Sequence, residues 1–356
     1  MKFGLIGAGM IGGLRTQALR QAQGCELIAV ADVDEKRAKA LASLCNARAF
    51  KNFQELLSLK ELDSVVVSTP PQFHEKIVLS SLESGKNVIC EKPLGSTVES
   101  CRKMVETARR FKKTLTTGFN HRYFPAVQVV KKAITDGIIG ELNHVRAFTG
   151  HTGLSEFEAS WMHDKDIMGG GALMDNGIHM IDLARYMLDE VNEVYGFATN
   201  EVWKLDRSED NGFALMRSPR GKIATLQASW SEWKGYHFYI EAYGDKGMAG
   251  AYYAPMKSVV ISMDKPGGRP HRKVDFYPRL ILKEKLKGWQ STAIQTFKEE
   301  FSDFVQLAQG VNGKYIIADG FAGFRAVEIA NAVYRGSQER KPIYLIDPVE
   351  MANKNE

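Results

Sequence analysis

The sequence predicts an α/β protein in two parts: an N-terminal doubly wound parallel sheet, and a C-terminal α+β domain with a largely antiparallel, open sheet. Three observations carry this. Short apolar runs alternate with helical stretches on short connections from residue 2 to about residue 119. A G-x-G-x-x-G pattern stands between the first apolar run and the first helix. After about residue 122 the alternation stops, and strand-like runs follow one another, divided by turn signals.

The elements read in order as follows. KFGLI (2–6) is a strand, GAGMIG (7–12) a loop, and a helix runs on to about Gln21. ELIAVAD (26–32) is dense in apolar residues, as a strand buried on both faces should be. A helix over 34–45 leads to SVVVS (64–68), which ends at Thr69-Pro70-Pro71. A helix over 72–83, the strand NVICE (87–91), a helix over 97–112 and TLTTGF (114–119) complete the first part. The second part opens with helical stretches at 125–136 and 172–188. Strands then follow at EVYGFATNEV, NGFALMRS, KIATLQASW, YHFYIEAYG and AGAYY, with turns at Ser218-Pro219-Arg220-Gly221 and Gly244-Asp245-Lys246-Gly247. Residues 264–290 are polar, contain Pro and Gly, and read as a loop. Helices near 293–309 and 318–336 and a short PIYLI end the chain. The expected domains are 1–122 and 123–345, with a C-terminal helix packing back on the first.

Composition narrows the function classes. The net charge is +5 over 356 residues, with the basic residues scattered, so nucleic acid is not the expected partner. No apolar run reaches the roughly 18 residues that span a bilayer. The N-terminal MKFGLIGAGMIGGL reads as a strand and phosphate loop, because its glycines make a poor signal-peptide core. Cys25, Cys45, Cys90 and Cys101 match no zinc or disulfide framework. These features point to a cytoplasmic protein.

The glycine loop is the first chemical signal. Gly7 makes the tight turn, Gly9 lets the backbone approach a pyrophosphate, and Gly12 lets helix and strand pack closely, with Met10 and Ile11 between them. The helix start offers unpaired N–H groups to phosphates. Asp32 lies 20 residues after Gly12 at the end of the second strand, where a carboxylate accepts from ribose hydroxyls and repels a 2′-phosphate. This favours NAD over NADP, although Lys36 and Arg37 stand close by.

The second signal is GGGALMDNGIHMID (169–182). Asp175 and His179 are four apart, close to one helix face, with Asp182 three further on. Alone, they fit a metal pair, a proton-transfer pair or a surface ion pair. A zinc site needs more convergent ligands than one imidazole and one carboxylate, so no metal is expected. Asp182 reads as scaffold, pairing with Arg185. The three glycines read equally as a close approach to substrate or as a plain turn. Trp161, His163, Asp164 and Lys165 upstream could line a pocket, or Trp161 could be core.

Five motifs in this order resemble the Gfo/Idh/MocA family: GAGMIG, VSTPPQFH (67–74), GKNVICEKPLG (85–95), GFNHRYFPA (118–126) and GGGALMDNGIHMID. The resemblance runs over essentially the whole chain. Its most specific parts are Glu-Lys-Pro and the D-x-x-x-H helix. Arg15 departs from it, since many relatives carry histidine there, and could alter phosphate contacts. The resemblance implies that Ser68, Thr69, Pro70 and His74 lie along an NAD cofactor, with Glu91, Lys92 and Pro93 under its nicotinamide and Pro93 cis. It implies that Asn120 and Arg122 line the domain junction, and that Lys92, Asp175 and His179 form the catalytic set. It further implies that the open sheet face builds homodimers or homotetramers.

The chemistry asks for these residue types. Oxidising a secondary alcohol removes a hydride and a proton. Histidine suits the proton transfer and a nearby ammonium stabilises the developing alkoxide. The expectation is an NAD(P)-dependent oxidoreductase of a sugar, cyclitol or related polyhydroxy compound: His179 as acid/base, Lys92 as electrostatic partner, Asp175 as orienting and substrate-binding group. Asn120, Arg122, Trp161 and His163 would complete the substrate contacts. The alternatives are a glycosidase that oxidises its sugar transiently with NAD, a non-catalytic NAD(P) sensor, and a reductase of a small ketone or imine.

Overall fold

The computed structural model describes residues 1–156 and 159–345. They form two compact units. The first comprises Met1–Tyr123, Asp166–Gly169 and Leu282–Val327; the second comprises Phe124–Lys165, Gly170–Ile281 and the chain from Glu328. A single cut near residue 122 does not describe this division, because a segment of the C-terminal third belongs with the first unit.

In the first unit the strands are β1 (Lys2–Ile6), β2 (Glu26–Ala31), β3 (Arg48–Phe50), β4 (Ser64–Val67), β5 (Asn87–Cys90) and β6 (Leu115–Thr117). The helices between them are α1 (Met10–Leu19), α2 (Glu35–Ser43), α3 (Phe53–Leu57), α4 (His74–Glu83) and α5 (Val98–Phe111). The sheet runs β6-β5-β4-β1-β2-β3 with all neighbours parallel, and a two-residue β15 (Ala318–Asp319) adds antiparallel to β6. The strand order reverses direction at β1, so the glycine loop leaves the sheet at its topological switch point, where such folds bind ligands. Strand β3 and helix α3 are three and five residues long, too short to show a period in the sequence.

The tail supplies the first unit's missing wall. Helix α10 (Gln290–Ala308) sends Phe297, Phe301 and Phe304 into a core with Phe3, Leu5, Leu14 and Leu19. Phe3 meets Phe301 edge-on at 5.5 Å. Inside this core sits a charge. Arg15, on α1, is fully buried, pairs through Nε with Glu91 Oε1 at 2.5 Å and through Nη1 with Glu300 of α10, and lies over the Phe297 ring at 3.8 Å. Arg15 therefore points into the core and joins α1 to the Glu-Lys-Pro turn; the expected change at the phosphate contacts gives way to this role.

In the second unit, α6 (Pro125–Thr135) and α8 (Ile178–Leu188) accompany β7 (Leu142–Gly150), β8 (Glu193–Thr199), β9 (Asn211–Arg217), β10 (Ile223–Ser229), β11 (His237–Gly244), β12 (Gly247–Tyr253), β13 (Lys257–Ser262), β14 (His271–Phe276) and β16 (Ile343–Tyr344), while the single turn α7 (Lys165–Met168) falls, apart from Lys165, in the first unit. The sheet order is β14-β13-β12-β11-β7-β10-β9-β8-β16. Every pairing is antiparallel except β7 with β10. Helices α6 and α8 pack on the sheet, and the strands answer with small or apolar residues such as Ala224, Leu226, Ala228, Phe238 and Ile240. The other side chains of each strand alternate to the opposite face.

Three sequence expectations change here. Residues 264–290 were expected to be a loop but contain β14 and the helix α9 (Pro278–Lys287). Central β7 carries no clear strand signal in the sequence, because its outward positions, His144 and Arg146, interrupt the apolar run. The stretch 172–188 is not one α-helix: Leu173–Gly177 forms a π turn, with Gly177 N–H donating to the Ala172 carbonyl at 2.9 Å. The last helix, α11, spans Gly320–Glu339.

Burial pushes the Glu300 carboxyl from its ordinary 4.5 up to about 7, although Arg15 opposes the shift. Below pH 4.5 folded and unfolded chains are both protonated there; between 4.5 and 7 the folded chain holds the extra proton. Stability should therefore fall as pH rises through that window and then level. Urea unfolding followed against pH should show this slope, and Glu300→Gln should flatten it. An equal slope in the variant would place the proton elsewhere.

Candidate active site

The glycine loop is built for a ligand. Gly7 has φ +100°, and a Cβ there would stand 2.6 Å from the Ser68 carbonyl. A Cβ on Gly12 would stand 2.1 Å from the Gly7 carbonyl oxygen. These two glycines are demanded by the close approach of backbone to backbone. Gly9 is different: its Cβ would meet nothing within 4 Å. The space beside it is open, at the start of α1, where no side chain caps the helix and no acidic residue stands in the first turn. Met10 is exposed and Ile11 half-buried there. Nearby, Ser68 Oγ and Thr69 Oγ1 are buried and have no hydrogen-bond partner among the described residues. An uncapped helix start, an unfilled Gly9 and two buried hydroxyls fit a pyrophosphate-bearing nucleotide.

Asp32 also has a structural task. It accepts from Ala8 N–H at 2.6 Å and from Asp34 N–H at 2.8 Å, so it holds the glycine loop against β2. Arg37 is exposed on α2, with Nε 3.4 Å from Asp34.

His74 is fully buried and ties two loops together. Its Nε2 lies 2.8 Å from the Thr69 carbonyl, and its Nδ1 3.1 Å from that of Pro93 and 3.2 Å from that of Leu94. Burial pushes its pKa down. It braces the Thr69-Pro70 and Glu91-Lys92-Pro93 turns rather than presenting its ring to a ligand. The Lys92–Pro93 bond is cis. Lys92 is half-buried at the carboxyl end of β5. His121, buried nearby, is pushed down to about 3, by burial first and then by the Lys92 charge. Asn120 Nδ2 donates to Thr296 Oγ1 at 3.0 Å, and Arg122 Nη1 to the Ile316 carbonyl at 3.3 Å.

In the second unit Asp175 lies in the π turn and His179 in the first turn of α8; both are buried, at 6% and 5% exposure, which removes the surface ion pair from consideration. Asp175 Oδ2 has two partners that sequence reasoning missed: His151 Nε2 at 3.3 Å and Trp230 Nε1 at 3.3 Å. Both follow strands, β7 and β10, whose ends carry no recognisable motif. The three glycines resolve toward packing. Gly169 has φ +86°, a Cβ on Gly170 would stand 2.0 Å from the Tyr334 hydroxyl, and one on Gly171 would stand 1.9 Å from the Glu209 carbonyl oxygen. Glu209 receives the N–H groups of Gly171 and Leu173, both at 2.8 Å, and so caps the segment carrying Asp175. Trp161 and His163 are half-buried on the turn Ser160–His163, where the His163 carbonyl accepts from Ser208 Oγ at 3.0 Å. Asp182 is buried at 1% exposure, and Arg185 is held bidentately by Glu190 at 2.9 and 2.8 Å.

Residues 1–119 match the family described as "Oxidoreductase family, NAD-binding Rossmann fold", and residues 127–250 match its "GFO/IDH/MocA C-terminal domain". The chain belongs to the Gfo/Idh/MocA family. It is an NAD-binding oxidoreductase. It is similar to the myo-inositol 2-dehydrogenase of Thermotoga maritima, 28% identical over 340 residues, 94% of this chain and 98% of that protein. It is 35% identical to the D-glucoside 3-dehydrogenase of Escherichia coli over 194 residues, 53% of this chain and 54% of that one. Its fold is that of levoglucosan dehydrogenase solved with NADH and L-sorbose: TM-score 0.85, 22% identity, covering 98% of this chain and 99% of that one. Among the described residues no helix is long and apolar enough to cross a membrane, and no group of three His, Cys, Asp or Glu could hold a metal ion.

Gly9→Val separates ligand space from packing. It should leave the thermal midpoint unchanged and weaken NAD binding by about 10-fold or more, read by fluorescence titration. Gly12→Val should instead lower the midpoint. Unchanged NAD affinity in Gly9→Val would remove the pyrophosphate from this loop.

Proposed function

We propose that the protein is an NAD-dependent dehydrogenase that moves a hydride between nicotinamide and a secondary alcohol or ketone of a sugar, cyclitol or related polyhydroxy compound. The observation that carries this reading is the burial of Asp175, on the π turn, and His179, in the first turn of α8, in an NAD-binding oxidoreductase; the names of the relatives support the substrate class. NAD is preferred to NADP because Asp32 stands at the end of β2, where a 2′-phosphate would meet its charge.

In this reading Gly7, Gly9, Met10, Ile11 and Gly12 cradle the pyrophosphate, Asp32 and Arg37 flank the ribose, and Ser68, Thr69 and Pro70 line the cofactor, braced by His74. Glu91 and Pro93 shape the turn that presents Lys92 beneath the nicotinamide. NAD supplies the hydride acceptor, and NADH the donor. His179 takes the hydroxyl proton as the alcohol is oxidised and returns it in reduction. The Lys92 ammonium stabilises the negative oxygen, and Asp175 accepts a substrate hydroxyl. Asn120, Arg122, Trp161 and His163 are the remaining proposed substrate contacts. We take the cytoplasm as the compartment, from the cysteine usage.

We also propose that the open face of the second sheet is a homo-oligomer interface. The β8–β9 register places Phe197 beside Phe213 and Tyr195 beside Leu215, and Phe197, Phe213 and Leu215 are 51%, 38% and 51% exposed. Adjacent exposed apolar side chains of this kind mark protein contacts.

A panel of inositols, sugars and sugar acids with NAD and NADP should reveal reduction of NAD. On the best substrate, His179→Ala should lower kcat by about 10²- to 10⁴-fold while NAD affinity persists. A folded His179→Ala with near-normal turnover would end the acid/base assignment. For the interface, Leu215→Lys should lower the mass measured by light scattering after gel filtration; an unchanged mass would move the interface off this face.

A further inference from the structure

Two parallel neighbours set up the feature. Strands β7 and β10 run in register, with Gly150 opposite Ser229, so the next residues, His151 and Trp230, leave the sheet side by side. His151 N–H donates back to the Ser229 carbonyl at 3.1 Å. Trp230 is fully buried: its N–H donates to the Asp210 carbonyl at 2.8 Å, and its own carbonyl accepts from Trp203 Nε1 at 2.7 Å. Both side chains meet the π turn that carries Asp175.

The protonation pattern follows from the partners. Gly153 N–H donates to His151 Nδ1 at 3.0 Å. A backbone N–H can only donate, so Nδ1 is the acceptor and the ring proton sits on Nε2. That Nε2–H faces Asp175 Oδ2 at 3.3 Å. The indole N–H of Trp230 is also a donor only, and it faces the same oxygen at 3.3 Å. Two N–H groups, each anchored by backbone bonds at a strand end, therefore converge on one carboxylate oxygen.

We infer that His151 and Trp230 are positioning residues that lock the Asp175 carboxylate in one orientation, with His151 held in the Nε2–H tautomer for that purpose. The inference rests on the proposed role of Asp175 toward substrate. Its consequence is specificity for a hydroxyl donor. A carboxylate whose Oδ2 receives two anchored N–H groups resists rotation, and both of its oxygens can only accept. Asp175→Asn would fit the same lock, its carbonyl taking the place of Oδ2 beneath the two N–H groups. It would then set an NH₂ where Oδ1 had been and reverse the hydrogen-bond sense there.

Two near-isosteric substitutions separate positioning from mere folding. In His151→Gln the amide N–H takes the place of Nε2–H, so the donor to Asp175 is kept and the acceptor for Gly153 is lost. His151→Asn does the reverse, with its oxygen at the place of Nδ1. Positioning predicts that His151→Gln stays within about 3-fold of the parent in kcat/KM, and that His151→Asn falls about 10- to 100-fold, chiefly through substrate KM, with NAD affinity unchanged. The opposite ranking would overturn the inference. Trp230→Phe, which keeps the ring and removes the N–H, should fall in the same direction as His151→Asn and decides the matter where His151→Asn does not fold; parental KM there would count against it. Nitrogen-15 NMR of labelled histidine provides a readout independent of turnover. It should show the Nε2–H tautomer for His151, with Nε2 shifting in Asp175→Ala, and an Nδ1–H tautomer would refute the lock. If the parent turns over no polyhydroxy compound, the functional reading fails, while the tautomer still decides on His151.

Discussion

A buried guanidinium holds the first unit together. Arg15 has no access to water, and a charge in that position is tolerated only when paired and hydrogen-bonded. Its partners, Glu91 and Glu300, come from the Glu-Lys-Pro turn and from α10, and Phe297 closes over its face. One side chain thus joins the helix that follows the glycine loop to the turn that carries Lys92. Gly118 keeps the space clear, since a Cβ there would stand 2.6 Å from Arg15 Nη2. Two carboxylates face one cation; burial is the main upward push on Glu300, the neighbouring Glu91 charge adds to it, and Arg15 opposes it.

The second unit solves a similar problem with neutral donors. Asp175 and Glu209 are both buried carboxylates near the π turn. Glu209 is met by two backbone N–H groups and by the Tyr334 hydroxyl at 2.9 Å, Asp175 by an imidazole and an indole. Fixed dipoles of this kind hold charge in place without bringing in a second mobile ion. The π turn is where an extra residue enters the helix, and it re-aims Asp175 relative to His179.

Much of the fold was legible in the sequence because its strands are buried on both faces or alternate cleanly. Ser64–Val67 is four buried residues in a row, and Asn211–Arg217 alternates inward and outward. The misses have physical causes. Strand β7 carries His144 and Arg146 on the face away from the helices, so its apolar signal is broken although it lies mid-sheet. Helix α9 has no buried residue, and no core stripe marked it. Within the candidate site, the glycine loop, Glu91-Lys92-Pro93, Asp175 and His179 stood out because each is a short, contiguous motif. His151 and Trp230 did not, because a partner brought by strand register leaves no local trace.

The sequence alone determined the parallel first sheet and its glycine loop, since close backbone approach and phosphate binding both require glycine at fixed offsets. It also determined which residue types could carry the chemistry. Only the tertiary structure decided that Arg15 turns inward to two carboxylates, that His74 braces two turns through backbone carbonyls, and that Gly170 and Gly171 leave room for Tyr334 and Glu209. Each of these depends on atoms far apart in the chain. The placement of a buried charge is settled by which distant groups can neutralise it, and local propensity carries no record of them.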